Sequence, residues 1–510
     1  MSDARFDQMC AVAPSPELRE RLRRAVREAR AATGLPEEGP GSLLREPRRI
    51  GFNDALLRPP STFPPGTDRL RVRASAERAP LRGRVRVLVV LVDFEDKSFE
   101  VDTSRFADLF FSTGVVPTGS VKEYFADVTG GLVEIVGEVV GPLRMSQPLS
   151  WYANGNFGIG NPSGDPRAHF LAENAAREAD GVTDLTPYDN DGDGYVDAFV
   201  VVHAGRGGEQ TGNSGDIWSH KWVLPAEYAA DGTKVFAYLT IPEDAKLGVS
   251  AHELGHLLFG FPDLYDTDYT SAGIGNWCLM AGGSWNAGGD TPAHPSAWCK
   301  AQQGWVTVEN VTADGPVTLP DVKTSRTVHR LWTGGQSGTE YFLLENRGRA
   351  GYDSELPGEG LLVWHVDDAR PDNSDESHHL VGLVQADGLR ELEQDLNSGD
   401  GGDCYPGWNG NTLLTGTTTP SSLSYAGQDT GVVVARISDP GETMSAVVSV
   451  TGTVPDGGGG DGGGLDELRR TVEQLQARVD ALSSAVVSAG GTLSSAAGLQ
   501  AGTWSRRSTT

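Results

Sequence analysis

The segment "LGVSAHELGHLLFGFPDLYDTDY", Leu247 to Tyr269, carries two histidines four residues apart with a glutamate directly after the first. His252, Glu253 and His256 stand among Val249, Leu254, Leu257 and Leu258, a setting built for a buried helix. Ionisable groups buried there without partners would cost several kcal/mol, and a metal ion is the partner that suits them. Residues i and i+4 share one helix face, so both imidazoles can point at one ion. Neutral imidazoles are good zinc ligands. Glu253, beside them but angled away from coordination, suits a general base acting on a water that the metal activates. A catalytic zinc site needs a third protein ligand and one open position. Gly260 is expected to end the helix in a left-handed turn, and Pro262 prevents its continuation. The returning chain then delivers Asp263 as the third ligand, with Asp266 as the alternative.

A second constellation is "DNDGDGYVD", which puts Asp189, Asp191, Asp193 and Asp197 at loop positions one, three, five and nine, with Gly194 at six. Alternate carboxylates around a tight turn match the first part of an EF-hand loop. The twelfth position is Val200 instead of glutamate, and no flanking helix pair is evident, so a calcium loop of non-EF-hand type is expected. The plain alternative is a solvated Asp-rich turn. "NSGDGGD" (397–403) is a weaker candidate of the same kind. His203 and His365, at the ends of apparent strands, read as structural histidines. "GRGGEQTGNSG" lacks the lysine and following helix of a nucleotide loop, and no GxSxG supports a serine hydrolase.

These residues need a scaffold. "RVRVLVVLVDFED" (84–96) is a β-branched run typical of a buried central strand. "DAFVVVHAG" (197–205) and "DIWSHKWVL" (216–224) read as further strands, with a helix over 165–179 between the first and second and the HExxH helix at 245–259. The expectation is an α+β unit over 81–310. From 311 to 453 the texture becomes short strands such as "GPVTLP", "RTVHRLW", "EYFLLEN" and "EGLLVWHVD" between Gly, Asp and Pro turns, which predicts a β-sandwich. "VPDGGGGDGGG" (454–464) is a flexible linker. Residues 465–487 place Leu465, Leu468, Val472, Leu475, Val479, Leu482 and Val486 on a heptad seam. A lone helix of that length is marginal in water, so a coiled coil that makes a homo-oligomer is expected. Residues 488–510 read as a disordered tail. Residues 1–80 form an N-terminal segment whose "PELRERLRRAVREARAATG" is a helix running from Pro16 to a stop at Gly34.

The 510-residue chain has 42 Lys+Arg against 69 Asp+Glu, a formal charge of −27. That balance argues against nucleic acid or an anionic membrane as partner. No basic, apolar leader is visible at the N-terminus and no stretch approaches a membrane span, so a soluble protein is expected. Four cysteines (Cys10, Cys278, Cys299, Cys404) are too few for a disulfide scaffold. Without CxxC spacing a thiolate zinc site is not indicated. Cys278 and Cys299 either pair or remain buried thiols.

"AHELGHLLFGFPDLYDTD" followed by "GNWCLMAGGSWN" resembles the immune inhibitor A family of secreted bacterial metallopeptidases, peptidase family M6. "SVKEYFADVTGG", "DNDGDGYVDAFVVVHAG", "IWSHKW", "YFLLENR", "LPGEGLLVWHVDD" and "VQADG" extend the resemblance over residues 85–410. It implies a zincin- or metzincin-like catalytic domain, an extracellular location and protein substrates. His252, His256 and Asp263 become zinc ligands, Glu253 the general base, and Met280 the methionine of a turn below the metal. It also supports calcium at the Asp189–Asp197 loop. Phe259 stands where the family pattern has glycine, with Gly260 one residue later, so Asp266 stays open as third ligand. The function implied is a zinc metalloendopeptidase. The alternative is a non-catalytic binding or structural protein assembled through its coiled coil, though a degenerate site usually loses its glutamate first. In a further reading residues 1–80 are a pro-region that blocks the cleft, with Cys10 as an additional ligand.

Overall fold

A computed structural model of the chain describes residues 10–33, 80–161 and 163–453. The linker 454–464, the heptad segment 465–487, the tail 488–510 and most of residues 1–80 lie outside the described residues.

The β-branched run forms β2 (Gly83–Asp93), after a short β1 (Cys10–Ala11) from the N-terminal segment. Both faces of β2 are covered, as its continuous apolar sequence requires. It pairs in parallel with β3 (Val133–Arg144) on one side and β4 (Phe199–His203) on the other. β6 (Thr233–Pro242) adds parallel to β4, and β5 (His220–Ala230) returns antiparallel to β6. The sheet order is β1-β5-β6-β4-β2-β3. The strands from residues 83–242 thus end at the antiparallel strand β5, and β1, from the N-terminal segment, pairs along that edge.

Helix α1 (Pro16–Thr33) follows β1. α2 (Val121–Val128) starts with a capping box in which Ser120 and Glu123 satisfy each other's backbone N–H groups. α3 (Ala168–Asp180) packs on β5 and β3. α4 (Leu247–Phe259) is the HExxH helix; it packs on β5, β6 and α2, and all thirteen of its residues are buried. Its sequence is apolar nearly all round, which is what a helix covered on every side requires.

From Thr307 onward are two further sheets. Five strands run β12-β11-β10-β9-β7, with β7 (Thr307–Asn310), β9 (Thr327–Trp332), β10 (Glu340–Arg347), β11 (Gly360–Asp367) and β12 (Val381–Leu383). Four run β13-β14-β15-β8, with β8 (Gly315–Pro320), β13 (Leu413–Leu414), β14 (Val433–Ala435) and β15 (Thr443–Ser449). Side chains alternate across a strand, and β10 and β11 use both faces. Phe342, Leu344, Leu361 and Val363 join Val434, Met444, Ala446 and Val448 in one core. Tyr341, Leu343, Leu362, Trp364 and Val366 face the other way, into the core of the N-terminal sheet and its helices. The region after 310 is thus bonded by packing to the region before it. No described helix is long and apolar enough to cross a membrane.

Candidate active site

α4 carries His252 and His256 on one face and stops at Gly260, whose φ of 64° is in the left-handed region. A residue with a Cβ would be strained there. The Gly260 N–H closes on the His256 carbonyl and that of Phe261 on Gly255 (3.1 and 3.2 Å). The helix therefore runs through Phe259 before it turns. That absorbs the one-residue departure in spacing, and Pro262 then leads the chain back.

The return puts Asp263 Oδ1 3.2 Å from both His252 Nε2 and His256 Nε2, and the two nitrogens lie 3.0 Å apart. His252 Nδ1 donates to the Leu279 carbonyl (3.0 Å) and His256 Nδ1 to the Phe261 carbonyl (2.6 Å). Carbonyls only accept, so both ring protons sit on Nδ1 and both Nε2 atoms present lone pairs. Neither Asp263 oxygen has a hydrogen-bond partner. Three acceptors therefore converge, fully buried, with no donor among them. Ligands on tetrahedral zinc at its usual bond lengths lie about 3.4 Å apart, so this donor set fits a catalytic zinc ion in both chemistry and dimensions.

Glu253 is fully buried beside this triangle, and neither of its oxygens makes a hydrogen bond of normal geometry. Burial, reinforced by Asp263 and Glu209, pushes its carboxyl well above the usual range, while the nearby Val12 N–H and Lys221 pull weakly the other way. Burial also opposes ionisation of Asp263, and only positive charge at the imidazole edges outweighs it and holds this carboxyl low. Burial lowers His256, against the pull of Asp263.

The wall behind His252 is braced from afar. Met280 lies against the helix: a Cβ on Gly255 would sit 2.8 Å from its Sδ. The Leu264 N–H donates to the Met280 carbonyl at 2.7 Å. Upstream, the Trp277 carbonyl accepts from buried Arg347 (3.4 Å), whose guanidinium also grips Asp353 (2.8 Å) and Glu345 (3.2 Å). Arg347 belongs to β10, so the β-rich region supports the turn that orients the first histidine.

Asp266 is not part of the triangle. It accepts the N–H groups of Asp268, Thr270 and Ser271 and clusters with Asp268 and Glu376. In the other constellation, oxygens of Asp189, Asp191 and Asp197 lie within 4.8 Å of one another, and Asp193 is not in that group. Asp189 accepts from the N–H groups of Gly192, Asp193 and Gly194 (2.9, 3.0 and 2.9 Å), and Asp193 accepts from Tyr195. Oxygens of Asp387, Asp400 and Asp403, from the weaker acidic stretch and just before it, also converge. Cys278 and Cys299 are neighbouring buried thiols, and the described residues contain no disulfide. His203 is buried, bonded to the Ala204 carbonyl, and stays outside the triangle; His365 pairs with Glu340 in the β-rich region.

Two neighbours of the triangle escape a reading of spacing. Glu209, in the stretch dismissed as a nucleotide loop, is fully buried; it accepts from Ser219 N and Oγ (3.0 and 2.8 Å), and burial raises it to about 7. Cys10 lies with His256 and Asp263, their ligand atoms all within 4.8 Å of one another. Only its residue type signalled it.

Residues 78–310 match the family described as immune inhibitor A peptidase M6, catalytic domain. The pre-pro-metalloprotease PrtV of Vibrio cholerae serotype O1, in strains M66-2 and ATCC 39315, is 30% identical over a match covering 42% of this chain and 29% of the relative. Immune inhibitor A of Bacillus thuringiensis subsp. alesti is 34% identical, over 34% of this chain and 30% of the relative. The matches thus span less than a third of the length of these relatives.

Proposed function

We propose, on the premise that this chain belongs through residues 78–310 to the immune inhibitor A family of M6 peptidases, that it is a zinc-dependent endopeptidase acting on proteins. The observation that carries this reading is the triangle of three buried acceptors, His252 Nε2, His256 Nε2 and Asp263 Oδ1, with sides of 3.0 and 3.2 Å. These three side chains would hold the ion. Bound there, zinc supplies Lewis acidity toward the scissile carbonyl and a positive field that lowers the proton affinity of Glu253 and of a water.

The rest is done by side chains. The imidazoles stay neutral ligands because their Nδ1 protons are committed to Leu279 and Phe261. Glu253 takes the proton of the water that attacks the peptide carbonyl and returns it to the leaving amine. A HExxH helix under a sheet with an antiparallel edge strand, and Met280 against that helix, favour a zincin- or metzincin-like arrangement. The same reading makes Asp189, Asp191 and Asp197, with Asp193 supporting the turn, a structural calcium loop, and takes 81–310 as the catalytic unit.

The test is Glu253→Gln beside wild type, measured for zinc content and casein cleavage. The variant is expected to keep zinc and lose activity by about 10²–10⁴-fold. Retention of more than about a tenth of wild-type activity would overturn the role of Glu253.

A further inference from the structure

We propose that residues Cys10–Ser15 are a built-in plug of the active-site cleft, with the Cys10 thiolate as the fourth and displaceable ligand of the metal. This rests on reading His252, His256 and Asp263 as the metal site.

The segment is bound as an extended peptide. Cys10 and Ala11 pair antiparallel with Lys221 and His220 on β5, and the Val12 N–H continues the ladder to the Ser219 carbonyl (3.1 Å). The next three carbonyls are each taken by a different side chain. Tyr265 Oη donates to that of Ala11, Trp218 Nε1 to Val12 (2.7 Å) and Trp285 Nε1 to Ala13 (2.9 Å). The Ser15 N–H donates to the Glu209 carbonyl (2.8 Å). Such main-chain recognition along an exposed sheet edge is how proteins hold a peptide strand. Here the strand is the chain's own, and residues 10–13 are between 0 and 7% exposed.

The register brings Cys10 to the metal triangle. Its thiol joins His256 and Asp263 in a group whose ligand atoms lie within 4.8 Å, all three residues buried. A second observation points into the same space: Glu253 is fully buried, the Val12 N–H of the segment lies near its carboxyl, and neither oxygen makes a hydrogen bond of normal geometry. That is the environment of a base whose substrate space is filled by something else. A thiolate is a strong zinc ligand, and a fourth protein ligand converts an open site into a closed, structural-type one. On binding, the Cys10 S–H proton passes to solvent, a sulfur–metal bond forms and a water leaves; on release the same steps reverse.

Helix α1 anchors the plug on its far side. Leu18 is buried, and Arg19 and Arg23 both pair with Asp395 of the β-rich region, the Arg23 Nε contact being 2.9 Å. Arg19 also reaches the Ser271 carbonyl (2.8 Å). Tethering supplies a high local concentration of the blocking strand, so severing the connection to β2 weakens the block without altering any contact.

The experiment uses the full chain loaded with Co²⁺ in place of zinc. Wild type is expected to show a near-ultraviolet thiolate-to-cobalt charge-transfer band, and Cys10→Ser to lose that band while still binding one cobalt. Casein cleavage by the zinc-loaded Cys10→Ser chain is expected to exceed that of wild type by about tenfold or more. Stoichiometric cobalt in wild type without the thiolate band overturns the plug while leaving the metal site standing. Absence of cobalt binding in both chains overturns the metal site and the plug with it. The wild-type spectrum decides the question even where the variant folds poorly.

Discussion

The two acidic constellations solve opposite problems. At the His252–His256–Asp263 triangle the Nδ1 protons are spent on the Leu279 and Phe261 carbonyls, every atom that faces the centre is an acceptor, and all three side chains are buried. In the Asp189–Asp197 loop Asp197 is buried, but Asp189, Asp191 and Asp193 reach solvent, and the carboxylates already hold the backbone of their own turn: Asp189 alone accepts three N–H groups. A cation is demanded by the first and only accommodated by the second. The difference lies in where the chain spends its backbone donors. α4 keeps its N–H groups for itself, so the side chains it carries can be satisfied only from outside. The loop turns its N–H groups inward onto its side chains. Metal removal should therefore abolish one function and merely soften the other.

The largest expected effect tests the demanding site. Asp263→Ala should remove bound zinc and lower casein cleavage by about a thousandfold or more, because two imidazoles alone make a poor site. Zinc and activity both surviving would make the two regions equivalent and break the contrast.

Next comes the brace behind the triangle. Asp353→Asn leaves the buried Arg347 guanidinium without its main counter-charge, at a cost of about 3–5 kcal/mol. Thermal melting should fall steeply, with weaker zinc retention because the Trp277–Leu279 turn loosens. The Arg347 guanidinium, working against burial, holds the Asp353 carboxyl far below the usual range. Its contribution is therefore present above the unfolded carboxylate range and lost only as pH falls toward strong acid. Loss of this stabilisation near neutral pH would argue against the pair as the source.

The Asp189–Asp197 loop, proposed as a calcium site, should give less. Chelating calcium while zinc is held is expected to cost up to about 3 kcal/mol, the effect of a ligand present at a hundred times its dissociation constant. Melting with and without calcium measures it, and Asp191→Asn should abolish the shift. The smallest effect separates members of the loop. Asn at position 193 can still accept the Tyr195 N–H, so Asp193→Asn should leave most of the calcium-dependent shift in place. Equal loss in both variants would restore Asp193 to the ligand group.

Legibility in the sequence followed distance along the chain. The helix over Leu247–Phe259 and its stop at Gly260 could be read because their causes are local: an all-round apolar pattern, a left-handed glycine and a following proline. Asp263 was legible for the same reason, and the structure brings it, rather than Asp266, to the histidines. β2, β4 and the strands after 310 announced themselves by β-branched runs. β6 did not: Thr233, Lys234, Ala237 and Thr240 dilute its pattern, and it is defined by pairing with β4 and β5. The two-faced use of β10 and β11 was also hidden, since fully apolar strands do not say which core each face joins. Arg347 carries no sign in "YFLLENR" that it ends beneath the metal turn. Cys10 is the extreme case: its register opposite Lys221 is written across more than two hundred residues.

The most direct test of the central claim is zinc stoichiometry by elemental analysis on wild type, Glu253→Gln, Asp263→Ala and Asp266→Asn prepared side by side. One zinc per chain is predicted for wild type, Glu253→Gln and Asp266→Asn, and almost none for Asp263→Ala. Zinc retained in Asp263→Ala but lost from Asp266→Asn would contradict the triangle as the metal centre.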